Sequence, residues 1–202
     1  MIRRLMLTTA VLALAACGSP DPASVPEPAP APTPMPTPTP TPATNVLTAQ
    51  GFGPLRIGMT RAEVEAALGA DSRPGAVGGP DPEACDIFHP VRAPEGLNVM
   101  VERGVLTSIW LQRGSTLKTD RGFGVGDTAT AIKAAYGPTA TMTPHKYSAA
   151  PAEYITTWSV GGSAGYVQNP AARGIAYHIG TDGTAEHVAA GGPSIQYVEG
   201  CA

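Results

Sequence analysis

No apolar run in this 202-residue chain is long enough to cross a bilayer as a helix, which takes roughly 20 residues; the longest, Leu5 to Leu14, has ten. Cysteine is scarce, with only Cys17, Cys85 and Cys201, and no two of them form a C-x-x-C pair. A dithiol redox centre and a thiol nucleophile are thereby set aside. A basic stripe is missing as well. Net charge is −3, and with Arg3, Arg4, Asp21 and Glu27 set apart the remainder carries 14 acidic against 11 basic side chains, the basic ones spread singly. That balance excludes a duplex nucleic-acid partner, and cofactor binding is not expected either. Ser, His and Asp are all present, yet no arrangement of them is read as a catalytic set.

What is present begins with a leader. Arg3-Arg4 precede the apolar run, which ends in Leu14-Ala15-Ala16-Cys17-Gly18-Ser19. A short cationic region followed by an apolar stretch of this length has the form of a secretory signal peptide over residues 1–16. Small residues before a cysteine resemble a bacterial lipobox. The resemblance implies cleavage before Cys17 and acylation of Cys17, palmitate among the chains, giving an anchor that one chain alone would not supply. Gly18 and Ser19, with no Asp after the cysteine, point by the same resemblance to the outer membrane, the folded part facing the periplasm.

Residues 17–45 form the anchor and a tether. Eleven of the 22 prolines fall between Pro20 and Pro42, mostly at alternate positions, which removes backbone donors and favours extended polyproline geometry. At about 3.1 Å per residue that stretch reaches roughly 70 Å.

The folded part begins near Val46. Leu55 and Ile57 lead into Gly58-Met59-Thr60, and Thr60 with Glu63 has the spacing of a capping box. Val64, Ala67 and Leu68 then share one face of a two-turn helix that Gly69 closes. Gly126 to Gly137 repeats the plan, with Asp127 and Ala131 where the first copy has Met59 and Glu63. Each helix precedes hairpin-forming strands. Leu97–Glu102 and Val105–Leu111 turn at Arg103-Gly104, and Gly174–Ile179 and Thr184–Val188 turn through Asp182-Gly183. Which side chains share a face in the first hairpin depends on whether its loop has two residues or three.

The run Ile57-Gly58-Met59-Thr60-x-x-Glu63-Val64-x-x-x-Leu68-Gly69, with a later hairpin, resembles the SmpA/OmlA-type small lipoproteins. Two such units in tandem are similar to β-lactamase-inhibitor proteins. The resemblance implies an α+β fold of two tandem units, residues 46–117 and 118–202, each a short helical segment packed on an antiparallel sheet. It also implies a sheet face left open for a partner protein of the envelope.

Met100 and Trp110 are the candidates for that open face, since aromatic and Met side chains are enriched where proteins bind proteins. Cys85 and Cys201 remain as an even pair in an oxidising compartment once Cys17 is lipidated, and a disulfide between them is expected. His178 and His187 would face each other across the second hairpin; two imidazoles are a weak metal candidate, because zinc wants at least three protein ligands. Asp81, Glu83 and Asp86 share a loop without EF-hand spacing and are read as solvated. The functional expectation is a non-catalytic protein-binding or scaffold lipoprotein of the envelope. The alternatives are an inhibitor of an envelope enzyme and, behind it, a hydrolase acting on cell-wall material.

Overall fold

The computed structural model describes residues 45–76, 79–163 and 165–201. The expected leader, the Cys17 anchor and the proline-rich tether up to residue 44 lie outside the described residues.

Three two-residue strands open the folded part: β1 (Leu47–Thr48), β2 (Gly51–Phe52) and β3 (Leu55–Arg56), paired antiparallel in that order. The capping box forms next, the Thr60 hydroxyl accepting from the Glu63 amide at 3.3 Å and the Glu63 carboxylate accepting from the Thr60 amide at 2.8 Å. It starts α1 (Arg61–Leu68), which buries Val64 alone. The strands β4 (Cys85–Phe88), β5 (Leu97–Glu102) and β6 (Val105–Leu111) follow. Then comes α2 (Ala129–Tyr136), capped by Thr128 without a reciprocal partner because residue 131 is Ala. Last are β7 (Ala140–Pro144), β8 (Glu153–Val160), β9 (Arg173–Ile179) and β10 (Ala185–Gly191), and a 3-10 helix at Pro193–Gln196.

The seven later strands make one antiparallel sheet in the order β4-β5-β6-β10-β9-β8-β7. The expectation of two tandem α+β units, each with its own helix-covered sheet, is therefore corrected. Among the described residues the structure is mostly sheet, with a three-stranded and a seven-stranded sheet and two α-helices of eight residues each. Strand β6 pairs directly with β10, Ile109 opposite Ala190 and Trp110 opposite Ala189. The physical reason lies in the apolar alternation. Val99, Ile109, Ile155, Ile175, Tyr177 and Val188 all point to one face and enter a single core with Leu47, Phe52, Leu55, Val64 and Ile132. Helices this short, one of them burying one side chain, cover little of a seven-stranded face, so the small sheet and loops cover the remainder.

Register follows from the turns. Glu102 pairs with Val105, so the first hairpin has a two-residue loop; Arg103 and Gly104 both have positive φ, 49° and 78°. A bulge between Met100 and Val101 lets Val99, Val101 and Leu106 face the core while Met100 and Trp110 turn to the second face. In the second hairpin His178 pairs with His187, as the spacing predicts.

Candidate functional site

The second face of the sheet is divided. Its β4–β6 side is covered by the chain end, which runs through the 3-10 helix to Cys201. Ile195 is fully buried there against Met100, Trp110, Ala176 and Ala189. The Cys85–Cys201 disulfide ties the end down, with Cα atoms 5.5 Å apart across a sequence separation of 116. Met100 is fully buried and Trp110 is 7 % exposed, its indole donating to the Ser108 hydroxyl at 2.8 Å. The open face expected at Met100 and Trp110 is thus occupied by the protein's own C-terminal segment.

The chain end also reaches β9, where Ala176 and His178 are buried, and between it and the open face of β7 and β8 lies a cleft of about 520 Å³. Its floor follows from the register. Thr143, Tyr154 and His178 lie opposite one another across β7, β8 and β9; Thr141, Thr156 and Ala176 make the next row; Trp158 and Gly174 make the third. Alternation puts Tyr154, Thr156 and Trp158 on one side of β8, so two aromatic rows flank a row of small side chains. At about 3.3 Å per residue, Tyr154 and Trp158 stand roughly 13 Å apart along the strand.

Both walls are held in place. Tyr154 stacks on His145 with centroids 4.8 Å apart and meets the His178 ring edge-on at 4.9 Å, and its hydroxyl accepts from the Lys146 amide at 3.4 Å. His178 continues the aromatic run to Trp110 at 5.5 Å and to His187 at 6.3 Å. On the other wall, Gly162 and Gly174 both abut the Trp158 indole; a Cβ on Gly174 would lie 2.7 Å from the ring. The Tyr147 hydroxyl donates to Glu199, joining the loop after β7 to the chain end.

Burial pushes the His178 imidazole down to about 4, with the neighbouring His187 and His145 charges adding to the shift. His187 is also lowered, first by burial, and its Nδ1 is buried without a hydrogen-bond partner. Both rings are neutral at neutral pH. Among the described residues no group of three His, Cys, Asp or Glu comes together around them to hold a metal ion.

A second cavity, about 740 Å³, lies beside α1 and includes Glu65, Asp71, Glu83 and Asp86. Its inner carboxylates are already engaged. Arg61 bonds Asp86 at 2.7 Å and Glu65 at 2.9 Å, and Asp86 is 6 % exposed rather than a solvated loop residue. Asp81 accepts from the Glu83 and Ala84 amides of its own turn.

Two serine patterns escape the sequence reading. Gly161-Gly162-Ser163-x-Gly165 follows β8 and places Ser163 at the cleft, but the described residues 165–172 form no helix, where a nucleophile elbow needs one. In Ser115-x-x-Lys118, Ser115 is buried and accepts from the Leu117 amide at 3.3 Å, while Lys118 bonds Asp127 at 2.5 Å. The floor of the cleft was partly readable as Thr141-x-Thr143 and Tyr154-x-Thr156-x-Trp158, alternations that put like side chains on one face.

No family model matches the chain, and no curated protein matches it. Among solved structures it is similar to a DUF4309 family protein (YjgB) from Bacillus subtilis, at 21% identity over 71% of this chain and 84% of that one, with a TM-score of 0.39. A likeness at that score carries no argument about function, and it does not bear on the SmpA/OmlA-type resemblance.

Proposed function

We propose that this protein is a non-catalytic binding module of the bacterial cell envelope, anchored in the outer membrane through Cys17 and facing the periplasm. Its ligand, a component of the envelope, enters the cleft over β7–β9. The observation that carries this reading is the cleft itself: two positioned aromatic walls about a floor of threonines, at a volume usual for ligand sites, with no Asp or Glu among its lining residues. The Cys85–Cys201 disulfide suits an oxidising compartment. Canonical glycoside hydrolysis uses a pair of carboxylates flanking the scissile bond, so the lining favours holding a ligand over cleaving it.

A serine-hydrolase reading has one observation in its favour, that Ser163 and His178 line the same cleft. An acidic group to orient the imidazole is absent from the lining. A fluorophosphonate probe is expected to leave Ser163 unlabelled; labelling abolished by Ser163→Ala would replace the binding reading with an enzymatic one.

The binding reading is tested by chemical cross-linking in intact cells that carry the full tagged chain or its Trp158→Ala variant. An envelope component captured by the parent and lost with the variant supports the cleft. Equal capture by both overturns it. Fractionation of a Cys17→Ser variant tests the anchor, which is expected to leave the outer membrane.

A further inference from the structure

We infer that the ligand of the β7–β9 cleft is a carbohydrate chain, its pyranose rings lying across the strands between Tyr154 and Trp158. This rests on the cleft being the binding site. The argument starts from the free polar groups. Among the described residues the hydroxyls of Thr141, Thr143 and Thr156 make no hydrogen bond to the protein and stand in adjacent positions on β7 and β8. A hydroxyl both donates and accepts, which matches the hydroxyls of a sugar, groups of the same double character. A peptide backbone presents separate donors and acceptors and is served best by amides. The one side-chain amide of the cleft, Gln196, is already spent: its oxygen accepts from the Val167 amide at 2.9 Å, and its nitrogen donates to the Val167 and Pro193 carbonyls at 2.8 and 2.9 Å.

The walls point the same way. A pyranose ring has an apolar face of C–H groups that carry slight positive charge, and the face of an aromatic ring is negative. Trp158, abutted by Gly162 and Gly174, lines one side of the cleft, and Tyr154, stacked on His145 with the His178 ring edge-on to it, lines the other. The threonine row lies midway between them, so a ring packed near either wall also reaches its hydroxyls. Charge supplies the third constraint. Among the described residues Lys146 is the one Lys or Arg side chain lining the cleft, and no carboxylate lines it, which suits a neutral or weakly anionic chain and disfavours a cationic one. A site of this volume takes about two or three sugar rings.

The test is a titration of the full chain, followed through tryptophan fluorescence, with tetra-N-acetylchitotetraose, with cellotetraose, and with a Pro-Thr-Pro-Thr-Pro-Thr-Pro peptide as the competing class. Saturable binding of at least one tetrasaccharide is expected. Trp158→Ala should weaken it tenfold or more and Thr156→Val severalfold, with unchanged unfolding midpoints. Should Trp158→Ala fail to fold, the isosteric Thr156→Val carries the test. Saturation by neither sugar, binding that both variants leave intact, or saturation by the peptide alone overturns the inference. If the sugars fail while capture in cells still depends on Trp158, the ligand class falls and the cleft stands.

Discussion

Acid should loosen the wall of the cleft through one imidazole. His178 is 8 % exposed and meets Trp110, Tyr154 and His187, with His145 adding its charge from across Tyr154; the Ile195 backbone is its one favourable partner for a proton. Its pKa of about 4 in the folded state lies below the 6.5 of an unfolded histidine. Folding therefore favours the neutral ring. That contribution is fully present above pH 6.5 and is lost as pH falls toward 4, because the unfolded chain binds the proton more readily across that window. At about 1.36 kcal/mol per pH unit the loss comes to about 3 kcal/mol. With a urea dependence near 2 kcal/mol per molar, the midpoint should drop by about 1.5 M between pH 7 and pH 4 on account of this residue. Carboxylates titrate in the same range, so the comparison is with His178→Gln, whose amide retains a donor for the Ile195 carbonyl. The variant should lose less stability than the parent by that 1.5 M. Parallel curves for the two proteins would refute the assignment of the acid sensitivity to His178.

Opening the disulfide in a Cys85→Ser, Cys201→Ser double variant releases a loop spanning a sequence separation of 116, worth up to about 5 kcal/mol on the chain-entropy model. Urea unfolding should show most of that loss, and Trp110 emission should shift to the red as the chain end lifts; a midpoint within 0.3 M of the parent (about 0.6 kcal/mol at the slope used above) would contradict it. Replacing Arg61 by Met leaves the buried Asp86 carboxylate without its partner, and about 2 kcal/mol should go, allowing for the exposure of Arg61. An Arg61→Met, Asp86→Leu pair should recover most of it in the same assay. Ala at position 174 would bring a Cβ to 2.5 Å from the Thr157 carbonyl and 2.7 Å from the Trp158 ring, so Gly174→Ala should cost about 1–3 kcal/mol in a thermal scan. An unchanged transition would show that Trp158 is not held by Gly174.

Local rules were legible where a few neighbouring residues decide the outcome. Thr60 and Glu63 form their reciprocal cap, Arg103-Gly104 makes a two-residue turn, and His178 meets His187. The pairing of Cys85 with Cys201 followed from having two cysteines left over. The architecture was not legible, because the decisive contact is between β6 and β10, about 80 residues apart, and neither strand carries a mark of its partner. The motif around each helix drew attention to eight residues, whereas the apolar faces of seven strands set the fold. Strand β7 is obscured in the sequence by Gly137-Pro138 before it and Pro144 at its end; as an edge strand it tolerates Pro144 there. Without β7 the threonine floor cannot be seen. The cover over Met100 and Trp110 was missed for a related reason. Residues 193–201 have too few apolar side chains to announce a core role, and only Ile195, Tyr197 and the disulfide reveal it.

The most direct test of the cleft as the binding site is site-specific photo-cross-linking in living cells. A benzoylphenylalanine replaces Tyr166, 65 % exposed at the cleft, or Val91, 56 % exposed and outside its lining, in the full lipid-anchored chain. Illumination should give a discrete adduct from position 166 that is absent from position 91 and is suppressed by Trp158→Ala. Adducts of equal yield from both positions, or from position 91 alone, would contradict a ligand held between Tyr154 and Trp158.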